Sequence, residues 1–390
     1  MKIGLSKLEY PEKRCIYNII DECEYLNLSK INLYRYMEII IRKIIPNARN
    51  NYSYRFKSLK KKDISGYHFF NYITNDSIPW ISTFETFLPR CGNIMDIHRK
   101  EKFIISDLEY KIVEKYIKII AKDECKKIIA LSKCNYNIQK ELISLYPSYE
   151  EKILNKLVQI YPPQEPIIKD YSEKKLNNNI KFTFVGRDFI RKGGYESILA
   201  LKSVRDRLKC NIELTIITDI NKSYNYVFNE FQDDYNYLKK VHGILEESNW
   251  INYYKDLDNK KVIEIMKNTD VGLLPTWGDT FGYSVLEFQA CGCPVISTSV
   301  RALKEINNDN IGWIIELPTN RFNEVIIKTS QDKERLRDII IHEMEKKIEE
   351  IIRNRDIIRK KGQLSLENIK KVNNTKEYSK KINNIYRENF

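Results

Sequence analysis

Short apolar runs, each followed by a longer segment with apolar residues at helical spacing, recur along most of the chain. In the second half these runs lie near 181–185, 212–217, 251–254, 270–274 and 294–297. They are rich in Ile, Val, Leu and Phe, which is typical of buried parallel strands. Strands that alternate with helices predict a doubly wound α/β fold.

The first half shows the same pattern less regularly. KIGLS (2–6) predicts the first strand, only helices are expected from there to about residue 45, and SGYHFFNYI (65–73), PWISTFET (79–86) and KKIIALS (126–132) predict further strands. Three prolines in QIYPPQEP (159–166) stop regular structure. With 390 residues the chain is long enough for two domains, and we expect their boundary at this segment.

The strand near 270–274 leads into the most informative segment. Pro275 ends the strand, Gly278 and Gly282 bracket a loop, and a helix-like run follows from Ser284 to Ala290. A helix N-terminus just beyond the carboxyl end of a strand offers free N–H groups and a positive dipole end to an anion, most often a phosphate. The segment is therefore predicted to be a ligand site.

A second segment, KFTFVGRDFIRKGGYESILAL (181–201), has a similar layout. Gly186 turns the chain after a strand, and Gly193 precedes an amphipathic helix. Arg187 and Lys192 would then project from one loop. Taken alone this is a solvated basic loop, but its place one strand-helix array before the first motif favours a role in the same ligand site.

Together the two segments resemble the signature of glycosyltransferase family 4. That signature has two Glu separated by seven residues across a Phe-Gly turn, then Ala-Cys-Gly-x-Pro-Val; here Asp279 and Glu287 are the acid pair, followed by ACGCPV (290–295). Only the first acid differs from the family signature, because it is Asp instead of Glu. The upstream GRDFIRKG (186–193) is similar to the family's Gly-Arg, four residues, Lys-Gly element.

The resemblance implies a particular α/β fold. This is GT-B, with two Rossmann-like domains facing a central cleft and a C-terminal helix crossing back to the first domain. We expect an acceptor-side domain over 1–165, a nucleotide-sugar domain over 166–365, and the terminal helix over 366–390. In that last segment Tyr378, Ile382, Ile385 and Tyr386 recur on one helical face.

The resemblance also implies the roles of individual residues. Arg187 and Lys192 would grip the diphosphate of a nucleotide-sugar donor, Glu287 would hold the ribose hydroxyls, and Asp279 would orient the sugar. These four form the expected catalytic set. The donor-binding set is Gly186, Thr280, Phe281, Gly282, Tyr283, Ser284 and Glu287. The resemblance further implies retention of anomeric configuration and no requirement for a metal or other cofactor.

The first domain fits the family more loosely. Many members have a Gly-rich loop after the first strand, whereas KIGLSKLEYPEK (2–13) has no second glycine. Glu85 stands at the end of a strand where the family usually has a His. It would either contact the donor sugar through its carboxylate or pair with Arg90. His68 and His98 are expected to be structural.

Asp256 and Asp258 match the acidic metal-binding triplet of the other large glycosyltransferase fold. Asp258 immediately precedes the helix-like NKKVIEIMKNT (259–269), where an Asp N-cap satisfies free N–H groups. We therefore expect a helix cap at this position.

Positive charge is concentrated in the first domain. The formal net charge is +13, and residues 1–160 hold 28 Lys plus Arg against 19 Asp plus Glu. The densest run of basic residues in this domain consists of Lys57, Lys60, Lys61 and Lys62 beside Arg55. The stretch 32–45 places Arg35, Arg42 and Lys43 around an aliphatic face, which suits either an anionic membrane surface or a core helix with a solvated face. No nucleic-acid-binding motif accompanies the charge, so nucleic acid is not an expected partner.

The eight cysteines show no zinc-type paired spacing and are expected to be free thiols. No run approaches the ~18 apolar residues of a membrane span, and no secretory signal is evident. These features predict a cytoplasmic protein, peripheral on the inner face of the cell membrane. Its expected function is transfer of a sugar to a glycan or lipid-linked acceptor of a bacterial surface polysaccharide. The alternative is a non-catalytic relative that binds nucleotide sugar or glycolipid as a scaffold.

Overall fold

The computed structural model describes residues 1–45, 53–60, 63–176, 178–222, 225–228, 231–232 and 234–390. The chain divides into two compact units. Unit 1 consists of Met1–Pro163 together with Asn374–Phe390, and unit 2 is Gln164–Asn373. Lys61 and Lys62 of the predicted basic run lie outside the described residues.

Unit 1 is built on a six-stranded parallel sheet in the order β2-β1-β4-β6-β7-β8. A separate parallel pair joins β3 to β5. The strands are β1 (Lys2–Leu5), β2 (Glu24–Asn27), β3 (Arg55–Phe56), β4 (Gly66–Phe70), β5 (Ile73–Thr74), β6 (Trp80–Phe84), β7 (Cys125–Ala130) and β8 (Leu157–Gln159). Every residue of β4 and β6 is buried, as expected for central parallel strands.

Among the described residues of unit 1, the α-helices are α1 (Tyr10–Cys15), α2 (Leu33–Ile44), α3 (Asp107–Ala121), α4 (Lys133–Ser144) and α5 (Pro147–Leu154). Their starts follow from local chemistry. The Ser106 hydroxyl and the Glu109 carboxylate form a capping box at the start of α3, and the Ser132 hydroxyl accepts from the N–H of Asn135 at the start of α4.

The expectation of helices alone between the first strand and residue 45 was wrong, because β2 lies within that range. Its residues Glu24–Asn27 pair in parallel with Lys2–Leu5. β2 is an edge strand, and none of its residues is fully buried. It therefore lacks the apolar run that identifies the central strands in the sequence.

Unit 2 contains a second six-stranded parallel sheet, in the order β11-β10-β9-β12-β13-β14. Its strands are β9 (Ile180–Val185), β10 (Ile212–Ile217), β11 (Ile251–Tyr254), β12 (Val271–Leu274), β13 (Val295–Thr298) and β14 (Trp313–Ile315). The five strands predicted for this half are confirmed; β14 was not predicted.

The helices of unit 2 are α6 (Gly194–Leu208), α7 (Asp234–Glu247), α8 (Asn259–Lys267), α9 (Tyr283–Ala290), α10 (Leu303–Ile306), α11 (Ser330–Arg353) and α12 (Asp356–Val372). Two parallel sheets with helical crossovers confirm the predicted α/β architecture of two Rossmann-like halves.

The last helix, α13 (Thr375–Asn389), belongs to unit 1. The hydroxyl of Tyr378 donates to the carbonyl oxygen of Cys15 at 2.8 Å, and the Tyr386 hydroxyl lies 2.7 Å from Nδ1 of His68. Tyr378, Ile382 and Tyr386 are buried, whereas Ile385 is half-buried. The end of the chain thus completes the core of the unit that its beginning forms.

All eight cysteines are free thiols, as predicted. Cys293 packs beside the Gly292 turn, where its Sγ lies 3.1 Å from the Met266 carbonyl oxygen and 2.9 Å from Nζ of Lys174. Within the described part of the chain, no helix combines the length and apolar character that crossing a bilayer requires.

Candidate active site

The two sequence motifs of unit 2 follow neighbouring strands. β9 pairs in parallel with β12, with Phe182 opposite Val271 and Phe184 opposite Leu273. The loop 186–193 after β9 and the loop 275–282 after β12 therefore leave the same edge of the sheet. β10 lies on the other side of β9, so the strand order reverses between β9 and β12. Ligands of open α/β sheets bind at such a switch point, outside the carboxyl ends of the strands.

The two loops are bonded to each other. The N–H of Trp277 donates to the carbonyl oxygen of Arg191 at 2.9 Å, and the Thr276 hydroxyl donates to the same oxygen at 3.1 Å. Gly193 has a φ of +82°, and a Cβ atom there would lie 2.1 Å from the carbonyl oxygen of Pro275. Only glycine fits this backbone and this approach.

Lys192 and Asp279 come together across the two loops. The Lys192 ammonium donates to the Asp279 carboxylate, and their side chains are only 14% and 10% exposed. Burial lowers the pKa of Lys192, and the charge of Asp279 offsets this in part. Burial favours the neutral form of Asp279, but Lys192 and Arg191 outweigh it and lower the pKa of Asp279. Each side chain therefore stabilises the charged form of the other against its burial.

Arg191 is a third charged residue of this edge, which the sequence analysis missed. It is 7% exposed, and its guanidinium donates to the Gly278 carbonyl oxygen and to the Asp188 carboxylate. The guanidinium also lies 4.9 Å from the Tyr226 ring centroid. Burial disfavours its charge, but Tyr226 and the nearby carboxylates raise the pKa of Arg191. In the sequence, Arg191-Lys192 reads as a solvated basic pair and gives no sign of burial.

Arg187 lies on the surface and lines a pocket of about 590 Å³ at the carboxyl ends of β9, β10 and β11. Gly186 lines the same pocket, as do Lys222 and Lys255. Of the predicted catalytic set, only Arg187 belongs to this lining within the described part of the chain; Lys192, Asp279 and Glu287 do not. The loop 186–193 thus presents Arg187 to the pocket and Lys192 to Asp279.

The N-terminus of α9 stands beside this ion pair. Its cap is Gly282, with a φ of +95°, and the N–H of Phe281 lies 3.5 Å from Oδ1 of Asp279. Phe281 is buried and its ring lies 5.1 Å from that of Tyr283. Thr280, Tyr283, Ser284 and Glu287 are half-buried. The segment is therefore arranged as predicted, with one carboxylate before the helix and one within it.

A buried ion pair supports the two loops from below. Arg337 of α11 donates through Nε to the carboxylate of Glu196 at 3.1 Å, and both are almost fully buried. Burial raises the pKa of Glu196, and Arg337 opposes this. The Arg337 guanidinium also lies 5.8 Å from the ring of Trp277, which is fully buried. This contact packs α11 beneath the loop that contains Asp279.

Glu85 of unit 1 forms an ion pair with Arg90. Nη1 of Arg90 lies 3.2 Å from Oε1 of Glu85. This is one of the two alternatives for that residue; contact with a sugar stays a prediction. His68 is fully buried, and His98 packs against the Phe87 ring. The helix cap at Asp258 is confirmed, because its carboxylate accepts from the N–H of Lys261 at 3.0 Å.

Comparison with known proteins agrees with this arrangement. Residues 168–361 match the model of the family described as glycosyl transferases group 1. The chain is 31% identical over 146 residues to a Klebsiella pneumoniae protein described as an uncharacterized 41.2 kDa protein in the cps region, covering 35% of this chain and 34% of that one. It is 26% identical over 183 residues to the capsular polysaccharide biosynthesis glycosyltransferase CapM of Staphylococcus aureus, covering 47% of this chain and 44% of CapM.

Among solved structures, Anabaena HepE in complex with UDP and glucose superposes with a TM-score of 0.57 over 98% of both chains, at 11% identity. At this identity the likeness concerns the fold. The likeness shows the GT-B fold for the chain, and within it residues 168–361 are similar to the group 1 glycosyl transferases. The chain spans less than half the length of the two curated relatives.

Proposed function

We propose that this protein transfers a sugar from a nucleotide-sugar donor to a glycan or lipid-linked acceptor, with retention of anomeric configuration. The observation that carries the proposal is the meeting of Lys192, Asp279 and the N-terminus of α9 at the β9–β12 switch point, with Arg187 on the same loop as Lys192 and facing the neighbouring pocket. No other edge of the unit 2 sheet, within its described residues, brings both sequence motifs together.

The chemistry of sugar transfer explains why such an edge is suitable. The bond between the anomeric carbon and the diphosphate oxygen breaks while negative charge grows on the departing nucleoside diphosphate. Arg187, Lys192 and the N–H groups at the start of α9 stabilise that charge. Each donor aimed at developing charge contributes on the order of 3 kcal/mol. The acceptor oxygen bonds to the same face of the sugar, and its proton passes to the leaving phosphate.

In this proposal Glu287 holds the ribose hydroxyls and Asp279 orients the sugar through its carboxylate. The cations of the site supply the positive charge that the leaving group needs, so the reaction requires no divalent metal or other cofactor. The similarity to CapM and to the cps-region protein supports an acceptor from bacterial capsule, O-antigen or lipopolysaccharide synthesis. Such an acceptor is consistent with a cytoplasmic enzyme that is peripheral on the membrane.

The first test measures the binding of nucleoside diphosphates by calorimetry, with all variants at the same ionic strength. Arg187→Ala should weaken binding of UDP or GDP about tenfold or more, because a charge-assisted contact to phosphate is lost. Lys202→Ala is the matched control, since Lys202 is a half-buried cation of α6 that pairs with Asp206 away from the site. Equal affinity in the wild type and Arg187→Ala would contradict the assignment of Arg187.

A second measurement concerns turnover. Purified protein should hydrolyse one nucleotide sugar of a panel, or transfer the sugar from it to an acceptor. This activity should persist in EDTA. The product should keep the donor's anomeric configuration by NMR. Loss of turnover in EDTA, or an inverted product, would overturn those parts of the proposal.

The second candidate function is a binding scaffold without catalysis. The observation that favours it is the Lys192–Asp279 pair, because a cation that is already neutralised stabilises a leaving group less. Tight nucleotide-sugar binding without turnover on any donor would support this candidate over the enzyme.

A further inference from the structure

One face of the unit 2 sheet carries polar side chains. In β10, Leu214 and Ile216 are buried, whereas Glu213 and Thr215, which alternate with them, are half-buried. Successive side chains of a strand point to opposite faces of the sheet, so the two polar residues share one face. Strands of a parallel sheet are usually apolar on both faces, because helices cover both. Burying polar groups against apolar side chains costs free energy, so this face is unsuited to an apolar covering helix.

The polar residues of three neighbouring strands lie in register. Thr215 of β10 pairs with Thr183 of β9 on one side and with Asn252 of β11 on the other. Two residues earlier, Glu213 pairs with Lys181. Because residues two apart on a strand share a face, these five side chains form two adjacent polar rows on one face of the sheet.

A pocket of about 410 Å³ lies between the polar rows and α8. Its volume falls within the range of roughly 300–1,000 Å³ that is typical of small-molecule sites. From α8 come Lys261, Glu264, Ile265 and Asn268, whose spacing places them on one face of the helix. The last residue of β11, Tyr254, also lines the pocket and is 41% exposed. Because β11 is an edge strand and Tyr254 is exposed, a ligand can reach the pocket from solvent.

Five polar side chains of this pocket have no partner in the described part of the protein. These are Lys181, Thr215, Asn252, Tyr254 and Glu264, whose side chains form no hydrogen bond or ion pair with another described residue. Lysine donates, glutamate accepts, and the hydroxyl and amide groups do both. Polar groups that the protein leaves unpaired are satisfied by water or by a ligand. The pocket therefore offers a ligand several donors and acceptors at once.

The charge of the lining argues against an anionic ligand. Two lysines, Lys181 and Lys261, stand against two glutamates, Glu213 and Glu264, so the formal charge of the lining is zero. Sites for phosphates and nucleic acids depend on an excess of cations. Here a phosphate would meet carboxylates as well as ammonium groups. The lining is therefore suited to an uncharged ligand.

The apolar part of the lining is small. It consists of Leu257, Ile265 and the ring of Tyr254. A lipid chain or the apolar face of a partner helix buries far more apolar surface than these three side chains offer. A saccharide has the matching chemistry, because its hydroxyls bond to polar groups while one face of a sugar ring is apolar and packs on an aromatic side chain.

We propose that this pocket binds an uncharged oligosaccharide. The hydroxyl of Thr215 and the amide of Asn252 bond to sugar hydroxyls, and the ring of Tyr254 packs on the apolar face of a sugar. The site therefore retains a glycan on the protein. It adds a saccharide-binding function to the sugar transfer proposed above and does not depend on it.

This saccharide site is separate from the proposed donor site. It lies on a face of the unit 2 sheet, and no residue of the loops 186–193 and 275–282 lines it within the described ranges. Among described residues it shares only Leu257 with the pocket that Arg187 lines. Substitutions in the polar rows therefore change glycan binding without removing a residue of the donor site.

Calorimetry of the full chain tests this site, with maltotriose, cellotriose, laminaritriose and triacetylchitotriose as probes. Saturating UDP is present so that the donor site is occupied. At least one probe should bind the wild type. Thr215→Val and Asn252→Ala should each weaken its binding about fivefold or more, because each removes a hydrogen bond to a sugar hydroxyl. The affinity should be nearly independent of salt, since the ligand is uncharged.

The matched controls are Thr319→Val and Asn310→Ala. They make the same chemical changes at a half-buried threonine and an exposed asparagine of unit 2 that lie outside the pocket. Both should bind the probe like the wild type. UDP affinity should be the same in all four variants, which checks that each is folded and that the pocket is not part of the donor site.

No binding of any probe would overturn the proposal, as would equal losses in the site variants and the controls. A steep fall in affinity with salt would show that the pocket selects charge instead. Lower UDP affinity in Thr215→Val or Asn252→Ala would assign the pocket to the donor site. If light scattering shows a dimer that Tyr254→Arg converts to a monomer, a second copy of the chain covers this face and the proposal is wrong. If a probe binds but no nucleoside diphosphate does, the proposed sugar transfer is wrong and the saccharide site remains.

Discussion

Lys192 and Asp279 form an ion pair although 87 positions separate them in the sequence. The pairing of β9 with β12 brings their loops to one edge, and the approach of Gly193 to Pro275 brings the two side chains within reach. The positive charge expected to hold a diphosphate and the acid expected to orient a sugar are therefore neighbours. A donor that binds here meets one coupled group instead of two separate ones.

This coupling gives opposite expectations for the two acids of the motif. Asp279→Ala should lower turnover about a hundredfold, as loss of one aimed polar group does. Nucleoside diphosphate affinity should be unchanged or tighter, because Lys192 loses its carboxylate partner and keeps its charge for the phosphate. Glu287→Ala should reduce both turnover and affinity, since its expected contact is with the ribose.

The measurement is turnover and UDP or GDP affinity, side by side, in both variants. Asp279→Asn keeps the size of the side chain without its charge and should behave like Asp279→Ala. Near-normal turnover in Asp279→Ala would show that the acid pair has no catalytic role and would favour the scaffold function.

Two glycines of unit 2 offer a matched stability test. Gly193→Ala should destabilise unit 2 by at least ~2 kcal/mol, because a positive φ and a blocked Cβ position both disfavour alanine. Gly243→Ala should stabilise it by roughly 0.5–1 kcal/mol, since Gly243 lies inside α7 with no atom within 4 Å of the new Cβ. Urea unfolding of the two variants compares them directly. Equal stability of both variants would contradict the close approach of the two loops.

His68 provides a prediction about pH. Burial lowers the pKa of His68 from 6.5 to about 3. Between these values the unfolded chain binds a proton that the folded chain does not, so stability increases with pH and is lost as pH falls below 6.5. The loss should approach about 1.4 kcal/mol per pH unit relative to His68→Gln.

Hydrogen exchange of β4 and β6 amides from pH 6.5 down to 4.5 would measure this difference. Burial raises the pKa of Glu12 to about 7, which has the opposite effect on stability in this range. Glu12 is present in both proteins, so its contribution cancels in the comparison. Parallel pH profiles of the wild type and His68→Gln would show that His68 is not held neutral.

The sequence predicted local structure at the site better than it predicted contacts. A strand, a glycine turn and a helix can be recognised from residues that are close in sequence, so the loops at 186–193 and 275–282 were predicted in the correct places. The opposite directions of Arg187 and Lys192 were not predictable. The backbone between them has a positive φ at Asp188, which the residue type alone does not specify.

The features that the sequence did not predict have a common physical cause. Each of them is formed by contacts between residues that are distant in the sequence. β2 gains its hydrogen bonds from β1 and has little apolar character of its own. Arg191 is buried because the Gly278 carbonyl and Tyr226 pack against it, and both are distant from it in the sequence.

The position of α13 has a consequence for how the chain folds during synthesis. Unit 2 is one continuous segment, whereas unit 1 needs α13, which the ribosome makes only after all of unit 2. Until then, the cavity that Tyr378, Ile382 and Tyr386 fill stays open, and His68 lacks the Tyr386 hydroxyl. Unit 1 therefore completes its fold only after the ribosome has synthesised unit 2, and its N-terminal part stays partly folded until then.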